Sequence, residues 1–238
     1  MQRRTHIRRM LAALVCASIG CKASAGAISV SPTRIELSAR HPIATLEVRN
    51  EGEDTMTVQL ERLAWSQSDG QDSYASSAGL IATPPVFELA PHGSQTLRVA
   101  LRNGGSKTLE QAFRLYVCEI PSAQPPAGAG LQMALRIGVP VFAETAETGS
   151  RLDGEILARA GKTEIRLRNT GAHFARALGV SIRDPAGTLL WQTRQPAYLL
   201  AGGEHLWPID SALPTTQGLR LSVVTETGVE NIDALMSP

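Results

Sequence analysis

The stretch that decides the fold, Leu131–Phe142, reads L-Q-M-A-L-R-I-G-V-P-V-F. Apolar side chains occupy every second position from its first residue, and small or polar residues stand between them. A strand places alternate side chains on opposite faces of a sheet, so this spacing predicts a strand with one apolar face and one partly wet face. The apolar side chains are Leu131, Met133, Leu135, Ile137 and Val139.

Two interpretations of this strand fit the pattern. The segment before it carries Pro125, Pro126, Gly128 and Gly130, which exclude a tight hairpin. A long apolar strand at a sheet edge promotes aggregation unless something covers it. The strand is therefore either an interior strand of a β-sandwich or a strand that is lent to another protein.

The first 25 residues have the layout of a secretory signal peptide. Arginines at the start precede an apolar run, Met10–Gly20, and a small-x-small cleavage site, Ala23–Ala25. The apolar run is too short to span a bilayer, so we expect a mature chain that begins near Gly26, without membrane insertion. A lipoprotein anchored through Cys21 is the alternative.

Loss of residues 1–25 changes the composition in two ways. It removes five of the 23 basic residues and none of the 22 acidic ones, so the net charge falls from +1 to −4. No basic face remains of the kind that nucleic-acid binding requires. Cys118 is the single cysteine that stays, and we expect a structural thiol there rather than a disulfide or a reactive group.

Strand patterns continue along nearly the whole chain after Ile28. About seven short segments of alternating apolar and polar residues up to Phe142 predict an all-β sandwich. The first of these segments, 28–37, contains Pro32 and is predicted to be an edge strand. The polar segment Ser66–Ser77 is predicted to be a surface loop, and 81–89 is a single strand-like run. Small polar residues at 143–150 predict a boundary between an N-terminal domain, 26–145, and a smaller β-sandwich domain, 150–238.

The sequence offers no case for catalysis, a cofactor or a metal. The histidines lack the close spacing of a zinc site, and no serine lies in a G-x-S-x-G elbow. Gly128-Ala129-Gly130 fails the dinucleotide fingerprint because no third glycine follows. We therefore predict that the protein is not an enzyme.

Three segments in this order resemble the PapD-like family of periplasmic pilus-assembly chaperones. They are T-P-P-V-F-E-L-A-P-H-G-S-Q-T-L-R-V at 83–99, F-R-L-Y-V-C-E-I-P at 113–121 and the stretch at 131–142. Residues 169–176 and 199–203 resemble the second domain of the family more weakly. The resemblance implies two immunoglobulin-like domains in a boomerang arrangement, without catalysis.

The resemblance also implies a mechanism, donor-strand complementation. The strand at 131–139 would complete the fold of a pilin-like subunit, which an outer-membrane usher then receives. Whether the free protein caps itself as a homodimer stays open at this stage.

Family members hold the terminal carboxylate of the subunit with two cations. The first corresponds to Arg34, with Thr33 as a neighbouring helper. The second, a lysine in the family, falls on Pro140 here. Either the carboxylate is anchored at one point only, or Arg114, or less well Arg136, takes the place of the lysine. The V-P-V-F ending is similar to a branch of the family that serves spore-coat-U-like pilins.

Three other classes of protein are weaker interpretations. A structural pilin or adhesin would begin with a donor extension and contain one incomplete domain, whereas strand patterns here start at Ile28 and both halves look complete. A sugar-binding β-sandwich would need an aromatic platform, and Trp65, Trp191 and Trp207 are scattered. An enzyme lacks any constellation of catalytic residues.

Overall fold

A computed structural model describes residues 28–102, 108–121, 133–145, 149–159, 162–210, 213–214, 218–233 and 235–237. These residues form strands, turns and loops and contain no helix, which confirms the predicted all-β class. Accordingly, nothing in these ranges forms an apolar helix of membrane-spanning length.

The described ranges contain nineteen strands. They are β1 (Ile28–Ser31), β2 (Ile35–Leu37), β3 (Ile43–Asn50), β4 (Met56–Ser68), β5 (Gln71–Ser76), β6 (Leu80–Thr83), β7 (Val86–Leu89), β8 (Ser94–Leu101), β9 (Gln111–Ile120), β10 (Arg136–Ala143), β11 (Leu152–Arg159), β12 (Lys162–Asn169), β13 (Ala175–Arg183), β14 (Leu189–Thr193), β15 (Ala197–Leu199), β16 (Glu204–Ile209), β17 (Arg220–Thr225), β18 (Val229–Asp233) and β19 (Leu235–Ser237).

The first ten strands form one β-sandwich. One sheet has the order β1-β3-β8-β6, and the other has the order β2-β10-β9-β4-β5, with β7 also paired to β4. The alternation in β9 puts Phe113, Leu115 and Val117 into the core between the sheets, as the sequence predicted.

The remaining strands form a second sandwich with its own core. Its sheets have the orders β16-β12-β11-β19 and β14-β13-β17-β18, and β15 pairs with β13. The first core ends in sequence at Ala143 and the second begins at Leu152. The domain limits 26–145 and 150–238 stay a prediction.

Two segments that the sequence presents as single strands are divided between sheets. The segment 28–37 forms β1 in one sheet and β2 in the other, and 81–89 likewise forms β6 and β7. Proline has no N–H to donate to a ladder, so Pro32 in the first segment and Pro84 and Pro85 in the second interrupt pairing where the chain crosses. β1 and β2 both lie at sheet edges, as the proline predicted.

The prediction that Ser66–Ser77 form a surface loop is wrong. β4 continues to Ser68 and turns back into β5, with Ser68 opposite Gln71. Asp69 and Gly70 form the two-residue turn, with φ values of 51° and 72°, and Asp-Gly favours that turn because both residues tolerate positive φ. β5 is exposed along its whole length, so no apolar alternation marks it in the sequence.

A buried asparagine fixes the same corner in each sandwich. In the first, Nδ2 of Asn50 donates to the carbonyl oxygens of Leu89 and Ala90 at 3.3 and 3.1 Å. In the second, Nδ2 of Asn169 donates to the carbonyl oxygen of Leu199 at 3.0 Å. Each Oδ1 accepts the N–H of the glycine two residues later, so the sandwiches share a corner that satisfies buried backbone groups.

Candidate functional site: an open strand edge and a cationic cleft

One edge of β10 is open over most of the strand. On one side β10 pairs with β9 along its full length, Arg136–Ala143, and Glu119 N donates to the Leu135 carbonyl oxygen at 2.9 Å. On the other side it pairs with β2 only at Val141–Ala143. Among the described strands, none pairs with this second edge at residues 136–140. The edge therefore presents backbone groups that are available to an added strand.

Burial of the apolar side chains changes steadily along this segment. Val139 is 1% exposed and belongs to the core of its own sandwich. Ile137 and Leu135 are half-buried at the margin of that core, and Met133 is 68% exposed. Leu131 lies outside the described residues. Within the described part of this segment, the apolar side chains that stay exposed or half-buried are therefore Met133, Leu135 and Ile137, and we assign Val139 to the protein's own core.

The opposite face of β10 is packed by a tyrosine and an arginine. The Tyr116 ring lies over Gly138, where an added Cβ would come within 2.8 Å of Tyr116 Cε1. The Arg136 guanidinium carbon is 3.5 Å from the centre of the Tyr116 ring, and Nη2 of Arg136 donates to Glu61 Oε2 at 2.6 Å. Arg136 is thus engaged with Tyr116 and Glu61 and is absent from the lining of the cleft described next.

A cleft of about 620 Å³ lies where the open edge ends. Its lining residues are Pro32, Thr33, Arg34, Glu36, Arg114, Pro140, Arg176, Tyr198 and Glu226. The strand pairing explains how the predicted anchor residues meet. Arg34 directly precedes the paired Ile35 of β2, and Pro140 lies opposite Arg114 in the β10–β9 ladder. Directly opposite residues have Cβ atoms about 5 Å apart. The Arg114 side chain can therefore reach the space that a side chain longer than proline would occupy at position 140.

Glu226 joins two arginines across this cleft. Its Oε2 accepts a hydrogen bond from Nη1 of Arg34 at 2.6 Å, and its Oε1 accepts one from Nη1 of Arg176 at 2.9 Å. Nε of Arg34 also pairs with Glu36 Oε1 at 2.8 Å. Burial alone would raise the pKa of Glu226, but the hydrogen bonds from Arg176 and Arg34 outweigh it and lower that pKa.

Arg114 lies against aromatic rings in the wall of the cleft. Its guanidinium carbon is 3.9 Å from the centre of the Trp65 ring and 5.7 Å from that of Tyr198. Planar guanidinium groups stack on aromatic faces and keep their charge, so Arg114 is held in place as a cation.

The sequence reasoning missed Glu36 and the three cleft residues of the second sandwich, Arg176, Tyr198 and Glu226. All three belong to the second sandwich, and Arg34 and Glu226 are 192 positions apart. No local spacing marks them, because only the packing of one sandwich on the other brings them to the cleft.

An aromatic interface holds the two walls of the cleft together. The rings of Phe142 and Phe174 stack with centroids 3.8 Å apart, and Trp65 meets Tyr198 edge-on at 5.5 Å. Gln67 adds two hydrogen bonds across the same interface, to the Tyr198 carbonyl oxygen at 2.8 Å and from the Leu200 N–H at 2.9 Å. The packed rings and the two Gln67 hydrogen bonds fix the relative position of the cationic residues.

A buried carboxyl group, Glu110, lies in the same interface. Its Oε2 accepts the Phe174 N–H at 2.7 Å, and its Oε1 is 3.6 Å from His173 Nδ1. Its side chain is only 2% exposed. Burial raises the pKa of Glu110 to about 7, although the Phe174 N–H and His173 act in the opposite direction.

The fold and the site define a class of protein: a pair of β-sandwiches that offers an open apolar strand edge ending at a cationic cleft. Residues 27–147 match the model of a family described as "Pili and flagellar-assembly chaperone, PapD N-terminal domain". This match covers half of the chain, and the chain belongs to that family. The family is a non-enzymatic kind of protein.

Two curated relatives agree with the assignment. The chain is 25% identical over 179 residues to a fimbrial chaperone of Escherichia coli K12, YbgP, covering 71% of each protein. It is 29% identical over 167 residues to the chaperone LpfB of Salmonella typhimurium LT2, covering 67% of this chain and 69% of the relative.

Solved structures share the fold. The structure of the CsuC–CsuE chaperone–tip adhesion subunit complex from Acinetobacter baumannii matches with a TM-score of 0.71 at 20% identity, covering 88% of this chain and 99% of the matched chain. The Salmonella enterica SafA pilin–SafB chaperone complex matches with a TM-score of 0.61 at 18% identity, covering 87% and 96%. These likenesses confirm the two-sandwich architecture.

Proposed function

We propose that this protein is a periplasmic chaperone that binds pilin-like subunits by donor-strand complementation and delivers them to an outer-membrane usher. The observation that supports this most directly is the open edge of β10, which carries partly exposed apolar side chains and ends at a cationic cleft. The chaperone family and the complexes with pilus subunits among the solved structures support the choice of partner. The basic and apolar leader at residues 1–25 supports export to the periplasm.

The described apolar side chains account for only part of the binding free energy. Complete burial of a side chain contributes about 1.5–3 kcal/mol, and Leu135 and Ile137 are already half-buried, so the three residues 133, 135 and 137 contribute roughly 3–6 kcal/mol. Association costs at least about 4 kcal/mol. Stable capture therefore also needs backbone pairing along the edge, which is about 26 Å long over residues 133–140, and the carboxylate anchor.

The direction of the added strand follows from the position of the cleft. β10 runs toward the cleft, because Pro140 lines it and Met133 lies at the far end of the segment. A guest strand parallel to β10 would end with its carboxylate beside Arg34, whereas an antiparallel guest would bring its ammonium group there. Three arginines in the cleft favour the parallel arrangement, with Arg34, Thr33 and Arg114 as the anchor.

Charged substitutions in the lent strand test the proposal. Ile137→Asp and Met133→Asp would each be co-expressed in the periplasm with a pilin-like subunit, and the complex recovered by a tag on the chaperone. We expect loss of the complex, because an aspartate cannot enter an apolar groove without a large desolvation cost. Val229→Asp is the matched control, since Val229 is an exposed valine of the second sandwich, 62% exposed.

Loss of the complex and retention of the complex lead to opposite conclusions. Loss of complex in both strand variants, with normal circular dichroism and a normal yield for Val229→Asp, supports strand donation. Met133 is largely exposed, so its variant should fold even where Ile137→Asp does not. Complex at the wild-type level in a folded Met133→Asp variant would refute the proposed contact.

The anchor has its own test. Arg34→Ala should weaken capture of the subunit by about 10- to 150-fold, because a hydrogen bond to a charged group contributes about 1.5–3 kcal/mol. Arg34 is an edge residue with a 31% exposed side chain, so the melting temperature should change little. Unchanged capture would remove Arg34 from the anchor.

An unoccupied edge also leads us to propose self-capping. In the absence of a subunit, the edge of β10 would pair with a second copy of the chain, which protects the exposed apolar residues from aggregation. Sedimentation of the free protein should then show a homodimer that Met133→Asp converts to a monomer.

A further inference from the structure

The residue that faces the anchor, Glu226, is carried on a fixed turn. It lies between β17 and β18, where Thr225 N and Thr225 Oγ1 both donate to the Gly228 carbonyl oxygen, at 2.7 and 2.9 Å. Gly228 has a φ of 147°, a conformation that residues with a Cβ rarely adopt. Thr225 itself is 7% exposed. The backbone of this turn is therefore held, so that only a rotation of the Glu226 side chain would separate it from its partners.

The Glu226 carboxylate already makes the contacts that a terminal carboxylate would make. One oxygen accepts from Arg34 and the other from Arg176, so a single carboxylate lies between two guanidinium groups. A chain terminus has the same two oxygens in the same planar geometry. The Glu226 side chain is 33% exposed, so water and a guest can both reach it.

The charges in the cleft favour one further carboxylate. Its lining contains three cations, Arg34, Arg114 and Arg176, and two carboxylates, Glu36 and Glu226. Glu36 lies on the Nε side of Arg34, whereas Glu226 takes the Nη1 end that faces Arg176. A guest carboxylate that replaces Glu226 would keep both arginines paired.

We infer that Glu226 is an internal substitute for the carboxylate of the subunit, and that Arg176 of the second sandwich is an anchoring cation beside Arg34 and Arg114. In the free protein Glu226 occupies the site between Arg34 and Arg176, and the terminal carboxylate of a guest strand displaces it. The inference rests on the proposed function, which it deepens by naming the residue that competes for the anchor.

The experiment uses the intact protein and a defined probe. The probe is a fluorescein-labelled peptide of about eight residues, alternating valine and threonine to match the open edge, with either a free C-terminal carboxylate or a C-terminal amide. Binding is followed by fluorescence anisotropy. We expect Glu226→Gln to bind the carboxylate form about fivefold more tightly than the wild type, because partly exposed ion pairs of this kind are individually weak.

Two further variants make the result specific. In the double variant, Arg176→Ala added to Glu226→Gln should abolish the gain in affinity for the carboxylate peptide. Glu155→Gln is the matched control, because Glu155 pairs with Arg166 on the same sandwich and has a similar exposure, 36% against 33%, but lies outside the cleft lining. It should bind both peptides as the wild type does.

The inference is overturned if Glu226→Gln binds the carboxylate form no more tightly than the wild type. It is also overturned if Glu226→Gln raises the affinity for the amide peptide by the same factor. The same holds if the gain in affinity for the carboxylate peptide persists when Arg176→Ala is added. A chaperone that captures subunits through β10 but shows no effect of Glu226→Gln would refute this inference alone. Carboxylate-dependent peptide binding without any capture of subunits would refute the proposed function and leave the carboxylate site standing.

Discussion

Glu110 should make the stability of this protein depend on pH in an unusual direction. Its carboxyl group is buried between the sandwiches, and burial raises the pKa from the ordinary 4.5 to about 7. The unfolded chain releases this proton near pH 4.5, so the stabilising contribution is complete below that pH and is lost as the pH rises from 4.5 to 7. A difference of this size corresponds to about 3 kcal/mol.

The titratable groups that face Glu110 are His173, Glu36 and Glu144, and they act in opposite directions. His173 lowers the pKa when it is protonated, whereas the two carboxylates raise it. Comparison of the wild type with Glu110→Gln separates the titration of Glu110 from the rest. Glutamine keeps an oxygen that accepts the Phe174 N–H but carries no titratable proton.

The assay is urea unfolding at pH 4.5, 6 and 8, followed by tryptophan fluorescence. Trp65 reports on the interface and Trp207 on the core of the second sandwich. Between pH 4.5 and 8, the free energy of unfolding of the wild type should fall by about 3 kcal/mol more than that of Glu110→Gln. Parallel pH profiles for the two proteins would show that Glu110 is not buried as a neutral acid and would refute the reasoning.

Two other substitutions test the fold that positions the cleft. Asn169→Ala should lower the free energy of unfolding by about 2–4 kcal/mol, because it leaves buried backbone groups such as the Leu199 carbonyl oxygen without their partner. Asn50→Ala should have an equal effect through the first sandwich, and a loss under 1 kcal/mol in urea unfolding for either variant would contradict the shared corner. Phe174→Ala removes the ring stacked on Phe142 and should cost about 2–3 kcal/mol while increasing the radius of gyration in small-angle X-ray scattering. An unchanged radius would show that the aromatic interface does not hold the sandwiches together.

The alternation of apolar and polar residues predicted most of the strands correctly. It works for β9 and β10 because one face of each lies on a core, so burial imposes a period of two on the sequence. It fails for β5, which buries neither face and leaves only its Asp-Gly turn as a signal. The alternation also fails to show that the prolines in the segments 28–37 and 81–89 move the chain from one sheet to the other.

For the site, the sequence predicted a strand over 131–142, of which the structure has β10 from Arg136 onward, and the resemblance pointed to Arg34, Thr33 and Arg114. It did not show that Val139 is buried in the core of its own sandwich, because an apolar stripe has the same spacing whether it faces its own core or a partner. The gradient of exposure from Val139 to Met133 depends on where the facing sheet ends, which is a property of the packed molecule.

The sequence by itself determined the all-β class, the apolar alternation that leads into β10 and the membership of a chaperone family, because each depends on residues that are close together in the chain. The tertiary structure alone decided which edge of β10 stays open and which residues complete the cleft. Arg34 meets Glu226 across 192 positions because two separately packed sandwiches touch there. Contacts of that kind follow from the path of the chain in space, and no local pattern records them.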